Sequence, residues 1–318
     1  MLALVWDGER ATLCRRQRPE TAPGMALVRV AVAGICNTDL EIARGYMSFH
    51  GVLGHEFAGA VEEGPEAWRG RRVVGEINFA CGHCPTCERG LGRHCPGRRV
   101  MGILDADGAF AEYVAVPVAN LHRIPASVSD EAAVFTEPLA AAFEILEQIE
   151  IGDSQRAVVL GDGKLGLLVA QVLERAGLRV LAVGKHPDKL EILGSRGIET
   201  RLLREWQPDA SADLTVEATG SAAGFEQALR ATRPRGTLVL KSTVAEPLQV
   251  DLAPLVIHEI QLVGSRCGPF EPALAALAAG GLELEPLISE RWPLSRAEEA
   301  LQRAAAPGLL KVLLDCSA

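Results

Sequence analysis

Half of the eight cysteines in this 318-residue chain fall within fifteen positions, as Cys81, Cys84, Cys87 and Cys95 in the pattern C-x2-C-x2-C-x7-C. Four thiolates carried on short turns can close a tetrahedral shell around Zn2+ without help from the rest of a fold. Gly82, Pro85, Gly90 and Gly92 supply such turns. A shell of four sulfurs leaves no open coordination position, so a zinc held here serves structure. His83 and His94 lie in the same stretch and read as solvated neighbours of the ligands.

A second set is scattered. Cys36 stands in Gly34-Ile35-Cys36-Asn37-Thr38-Asp39, His55 and Glu56 in Gly54-His55-Glu56, and Glu137 in Thr136-Glu137-Pro138. Singly, each has a plain reading: a buried thiol, a core histidine, a solvated carboxylate. Cys36, His55 and Glu137 together offer one thiolate, one imidazole and one carboxylate. Three protein ligands leave a fourth position for water or substrate, which is how a catalytic zinc is held. Asp39 is spaced to orient His55 through its other ring nitrogen.

A third feature is Gly161-Asp162-Gly163-Lys164-Leu165-Gly166, which follows the apolar run Ala157 to Leu160 and opens a helical run from Leu165 to Ala176. Between strand and helix, such a turn lets the backbone approach a pyrophosphate, and the helix N-terminus attracts its charge. Gly161, Gly163, Lys164, Leu165 and Gly166 are the expected cofactor contacts. At the end of the next strand, where an acid would take the ribose 2′-hydroxyl of NAD, stands Gly184, followed by Lys185 and His186. The missing carboxylate and two potentially cationic neighbours favour a 2′-phosphate, so NADP is preferred, with NAD the alternative. Solvated loop residues are the plainer reading of Lys185 and His186.

These groups need two kinds of scaffold. From Met1 to about Arg123 the pattern is short alternating strands broken by Gly and Pro, which predicts a β-rich unit. A helix cap at Ser129-Asp130-Glu131 opens a helical run to Ile149. Strands then alternate with helices, near 157–160, 179–183, 214–218 and 237–240, which predicts an α/β fold with a parallel sheet. A helix at 273–279, an extended piece near Ile288, a helix at 296–303 and a last strand at 311–314 complete the chain.

Composition narrows the function classes. Apolar residues make up 48% and charged residues 23%, and 32 Lys+Arg stand against 41 Asp+Glu for a net charge of -9. That balance offers no footprint for nucleic acid or for an anionic membrane. No apolar run approaches the ~18 residues of a membrane span. The segment Met1 to Asp7 lacks the basic flank of a signal peptide and reads as a first strand. A cytoplasmic address follows, where thiols stay reduced and metal binding explains the cysteine spacing.

The motifs in this order resemble the zinc-containing medium-chain dehydrogenases/reductases, the superfamily of alcohol, sorbitol, glucose and threonine dehydrogenases. The likeness runs over essentially the whole chain. It implies a Rossmann doubly wound sheet at 139–268 and a β-rich GroES-like catalytic domain, bearing the zinc lobe, at 1–138 and 269–318. It implies two zinc ions per chain: a catalytic one on Cys36, His55 and Glu137, and a structural one on Cys81, Cys84, Cys87 and Cys95. The carboxylate at Glu137 is similar to the polyol and sugar dehydrogenases. Glu56 would lie close to the zinc and exchange with its water. Thr38 would relay the substrate proton, and Glu41 stands where classical members carry the terminal histidine. Asn37 replaces an arginine that some members use for the pyrophosphate. Lys311, by similarity to a basic residue on the last strand, would reach that pyrophosphate; a solvent-facing lysine is the plain alternative. Tyr46, Phe49, His50 and Arg266 are candidates for the pocket wall.

The expected partner is a small-molecule alcohol or carbonyl compound, and relatives form homodimers or homotetramers, often by pairing sheet edges. The leading function is hydride transfer between a polyol, sugar or secondary alcohol and NAD(P). An NADPH-dependent aldehyde or ketone reductase of the same fold is the first alternative. A non-catalytic nucleotide-binding protein with zinc for stability alone is the alternative from another class.

Overall fold

The computed structural model describes residues 1–152, 155–242 and 249–317. The chain divides into two compact units, Met1–Glu137 with Ala273–Ala318, and Pro138–Pro272.

The frame of the first unit is a seven-stranded sheet centred on the long strand Met25–Ile35. Its β-branched residues suit a pleated, buried surface, and Val28, Val30, Ala33 and Ile35 are fully buried. It pairs antiparallel with Glu56–Glu63, with Lys311–Asp315 and with Tyr113–Pro117. Register shifts on the Glu56–Glu63 side fall between Leu27 and Val28 and between Val30 and Val32. Such irregularities bend a strand and re-aim its end. The outcome is a row across three strands: Gly34 is opposite Glu56 on one side and Leu313 on the other. That row lies two residues before Cys36 and two after Lys311. A smaller sheet, Asn78–Phe79 with Arg99–Met101 and Asp105–Ala106, brackets the cysteine-rich segment.

The second unit holds a six-stranded sheet in which every pairing is parallel. Its spatial order is Glu199–Leu202, Arg179–Gly184, Arg156–Leu160, Ala212–Glu217, Thr232–Leu240 and Gln261–Gly264. In sequence order this is third, second, first, fourth, fifth, sixth, the doubly wound arrangement that binds dinucleotides where the order reverses. Val158, Leu160, Leu181, Val183, Phe225, Leu229 and Leu238 form its core.

The helical run expected from Ser129 to Ile149 is two helices, Asp130–Ala133 and Thr136–Gln148. Pro138 explains the break: it has no N–H to donate and is tolerated only in a first turn, so a new helix starts just before it. The two edge strands, Glu199–Leu202 and Gln261–Gly264, have no counterpart in the sequence pattern. Both are short, and each has half or more of its residues in contact with solvent, so neither shows an apolar run. Among the described residues no helix is long and apolar enough to cross a membrane.

Candidate active site and metal centres

In the cysteine lobe, Cys84 ends an extended turn at the start of the short helix Pro85–Glu88, and Cys95 follows a 3-10 turn at Gly92–His94. The four sulfurs converge: Cys84 to Cys87 is 3.5 Å, Cys81 to Cys95 is 3.6 Å, Cys84 to Cys95 is 3.8 Å and Cys81 to Cys87 is 3.9 Å. A tetrahedron with Zn–S bonds of about 2.3 Å has edges of about 3.8 Å. The donor set therefore fits zinc in both chemistry and spacing. The Cys87 backbone N–H, before all else, pulls the Cys84 thiol down to about 6, while burial and the neighbouring Cys84 sulfur push Cys87 up to about 11. Metal binding would displace the protons that these crowded thiols share. His83 turns its ring to the Cys81 carbonyl instead, at 2.8 Å.

The second set is assembled by the sheet. Cys36 is the N-cap of the helix Asn37–Ile42, and the fully buried Asp39 closes a capping box, its Oδ2 accepting from the Cys36 N–H at 2.8 Å. The other oxygen, Oδ1, faces His55 Nδ1 at 3.3 Å, outside the angle of a good hydrogen bond. One carboxylate thus ties the position of Cys36 to the orientation of His55. Desolvation works against a charged His55, but Asp39 and then Cys36 outweigh it and raise its pKa well above the ordinary value.

Where His55 sits is fixed by bare backbone. Gly54 has φ +95, and a Cβ there would fall 2.2 Å from the Phe110 ring. Cβ atoms at Gly102 and Gly108 would fall 2.4 and 2.2 Å from the Gly54 carbonyl oxygen, which accepts from the Ala109 N–H at 2.9 Å. Three segments cross there at a spacing that only glycine permits.

Cys36, His55 and Glu56 bring their ligand atoms within 4.8 Å of one another. Glu137, second residue of its helix, lies outside that cluster. Glu56 is ion-paired with Lys311, and both are 1% exposed. Lys311 therefore points to the Cys36–His55–Glu56 cluster, with its ammonium 5.8 Å from the Phe135 ring centre. Burial opposes its charge, yet Glu56, then Cys36 and, last, Glu137 raise its pKa. Thr38 Oγ1 is 3.7 Å from Cys36 Sγ. Glu41 turns to Arg44 at 2.7 Å. Phe49 is buried, and His50 Nδ1 lies 3.1 Å from the Ser48 carbonyl.

In the other unit the glycine turn leads into the twelve-residue helix Lys164–Arg175, with Gly163 at its N-cap. A Cβ at Gly166 would come 1.9 Å from the Gly161 carbonyl, whereas nothing lies within 4 Å of one at Gly163. The third glycine thus lets helix and turn pack, and the second presents open backbone at the helix N-terminus, as a pyrophosphate requires. Arg266 lends its carbonyl to the buried Lys241 ammonium at 2.9 Å. Lys185 and the half-exposed His186 flank the strand end with Gly184. Asp162, in the variable position of the turn, is a functional candidate that sequence reasoning alone does not single out. It is buried, and its Oδ2 accepts from the backbone N–H groups of Lys185 and His186, both at 2.6 Å. The available signal was a carboxylate in the variable position of the turn, paired with a bare glycine at the next strand end.

Comparison with known proteins follows the same division. Residues 22–126 match the alcohol dehydrogenase GroES-like domain family, and residues 165–279 match the zinc-binding dehydrogenase family. The chain is 30% identical to the 2-dehydro-3-deoxy-L-galactonate 5-dehydrogenase of Pseudoalteromonas atlantica, over 93% of this chain and 94% of that one. It superposes on a zinc-binding dehydrogenase of Sinorhizobium meliloti 1021 bound to NADP with a TM-score of 0.89 at 28% identity, covering 99% of this chain and 98% of the other. The RspB alcohol dehydrogenase of Escherichia coli CFT073, complexed with NADH, gives 0.90 at 27% identity and 99% coverage of both.

Proposed function

Because the chain belongs to the zinc-binding alcohol dehydrogenase family, we propose that it exchanges a hydride between the carbinol carbon of a polyol, sugar or secondary alcohol and the nicotinamide of NAD(P). The observation that carries this reading is the meeting of Cys36 with the buried His55 and Glu56 beside Lys311. Cys36, His55 and Glu137 would hold the catalytic zinc, with Glu56, already paired to Lys311, standing next to it. Supporting this set is what Lys311 meets. The buried Lys311 ammonium feels the Glu56 and Glu137 carboxylates and the Cys36 sulfur together, a donor set that suits a divalent cation. When bound, zinc supplies a Lewis acid that lowers the pKa of an alcohol hydroxyl.

The chain's own groups do the rest. Asp39 fixes the imidazole and caps the Cys36 helix. Thr38 Oγ1 takes the substrate proton toward Glu41, three residues along the same helix, whose carboxylate Arg44 holds in place. The Gly163 to Gly166 turn binds the pyrophosphate at its helix N-terminus. The same site run in reverse is a carbonyl reductase, and initial rates in both directions rank the two. The cytosol suits eight cysteines, all free of disulfides.

A homodimer pairing through the edge strand Gln261–Gly264 accounts for the exposure of Leu262 on it, at 41%, and of Val256 and Ile257 just before it, at 79% and 71%. Sedimentation of Ile257→Asp as a monomer would support that pairing, and an unchanged mass would rule it out.

The test of the zinc assignment is a metal count. Wild type should hold two zinc ions per chain, Cys36→Ala and Glu137→Ala one each, and Glu56→Gln two. A single zinc in wild type sinks the catalytic assignment and favours a non-catalytic zinc protein.

A further inference from the structure

Gly184 is bare at the strand end where a side chain would meet the cofactor's adenosine ribose. The structure shows what fills its place. A Cβ at Gly184 would come 2.5 Å from both Cβ and Oδ2 of Asp162. The Asp162 carboxylate, reaching over from the glycine turn, thus occupies the space in which a side chain of residue 184 would begin. Its Oδ2 accepts from the Lys185 and His186 N–H groups, at 2.6 Å each, and lies 3.0 Å from His186 Nδ1. All three contacts fall on Oδ2.

We propose that Asp162 is the specificity-determining residue for the cofactor, and that it selects NAD(H) against NADP(H). The proposal rests on the nicotinamide-binding reading above and adds which cofactor that site takes. Successive backbone N–H groups at a turn make an anion-binding concavity. Here that concavity is already filled by an internal anion, and the imidazole that would pair with a phosphate is turned to the same oxygen. A 2′-phosphate meets occupied donors and a fixed negative charge. A 2′-hydroxyl meets an acceptor. Gly184 and its basic neighbours, which in the sequence favour a phosphate, take a different meaning: the glycine makes room for an acid supplied by another segment.

The test is direct binding of NAD+ and NADP+, followed by tryptophan fluorescence or calorimetry with no substrate present. Wild type should bind NAD+ at least about 100-fold more tightly, the scale expected when one charge pair turns from attractive to repulsive at a partly solvated site. Asp162→Gly should bring the two dissociation constants within about tenfold of each other, mainly by tightening NADP+. The exchange Asp162→Gly with Gly184→Asp, which moves the acid to the strand end, should restore the NAD+ preference. Equal or tighter NADP+ binding by wild type overturns the proposal whether or not the variants fold. So does an unchanged ratio in Asp162→Gly. If wild type binds neither cofactor, the nicotinamide site itself is wrong, and this assignment falls with it.

Discussion

The cysteine lobe and the cluster around His55 are both candidate metal-ligand sets, but they are built in opposite ways. The lobe gathers four like groups from fifteen consecutive residues on tight turns, near the surface, with Cys81 exposed. The cluster gathers unlike groups from the ends of three strands, and its Glu56–Lys311 pair joins residues 255 positions apart. A local set depends on its turns and little else. A distributed set is only as good as the sheet that delivers it, so its members carry supports that the lobe lacks: the Asp39 cap, the Gly54 crossing and the Lys311 counter-charge.

The sharpest way to break that contrast is to remove one ligand from each. Cys36→Ala and Cys95→Ser should each lose one zinc. The first should cost more than about 1000-fold in kcat/KM with little change in melting temperature, since a Lewis acid supplies several kcal/mol to the transition state. The second should lower the melting temperature and leave activity within about tenfold. Matching effects from both variants would erase the distinction. Next in size is Lys311→Met, which strands the Glu56 charge in the interior and should cost about 3–5 kcal/mol in urea unfolding. Adding Glu56→Gln should recover most of that loss, and failure to do so would mean the pair is not the reason.

Asp39→Asn comes third. It should weaken zinc at the buried site, or activity, by about 10–100-fold while the lobe keeps its metal. Smallest is the exposed pair Arg291–Glu131, at 2.7 Å. The Arg291 hydrogen bond, against some desolvation, holds Glu131 below its ordinary value of 4.5. Its contribution is therefore complete above about pH 4.5 and fades as the pH falls through the lower folded value. Glu131→Gln should cost under about 1 kcal/mol at neutral pH. A larger loss would show that surface pairs count for as much as the buried one.

The same contrast explains what the sequence disclosed. Cys81 to Cys95 could be read as a zinc site from spacing alone, because neighbours in sequence are neighbours in space. The alternation of strands and helices after Arg156 disclosed the parallel sheet for a similar reason. Cys36, His55 and Glu137 needed the resemblance of whole motifs before they read as one site, whereas the structure gathers Cys36 and His55 with Glu56. The pairing of Lys311 with Glu56 was out of reach, since it follows from the register of two strand pairs meeting at Gly34. Asp162 was hidden differently. Its position in the turn was plain, but the direction of its side chain is set by where the next strand ends.

The glycine crossing at Gly54 has a consequence for anyone reshaping the enzyme. Gly54, Gly102 and Gly108 touch through main-chain atoms, so no smaller residue exists to make room for a shift of any of them. The anchor of His55 therefore cannot be tuned by side-chain substitution; it is either kept or lost. A library aimed at a new substrate should leave those three codons fixed and place its diversity elsewhere.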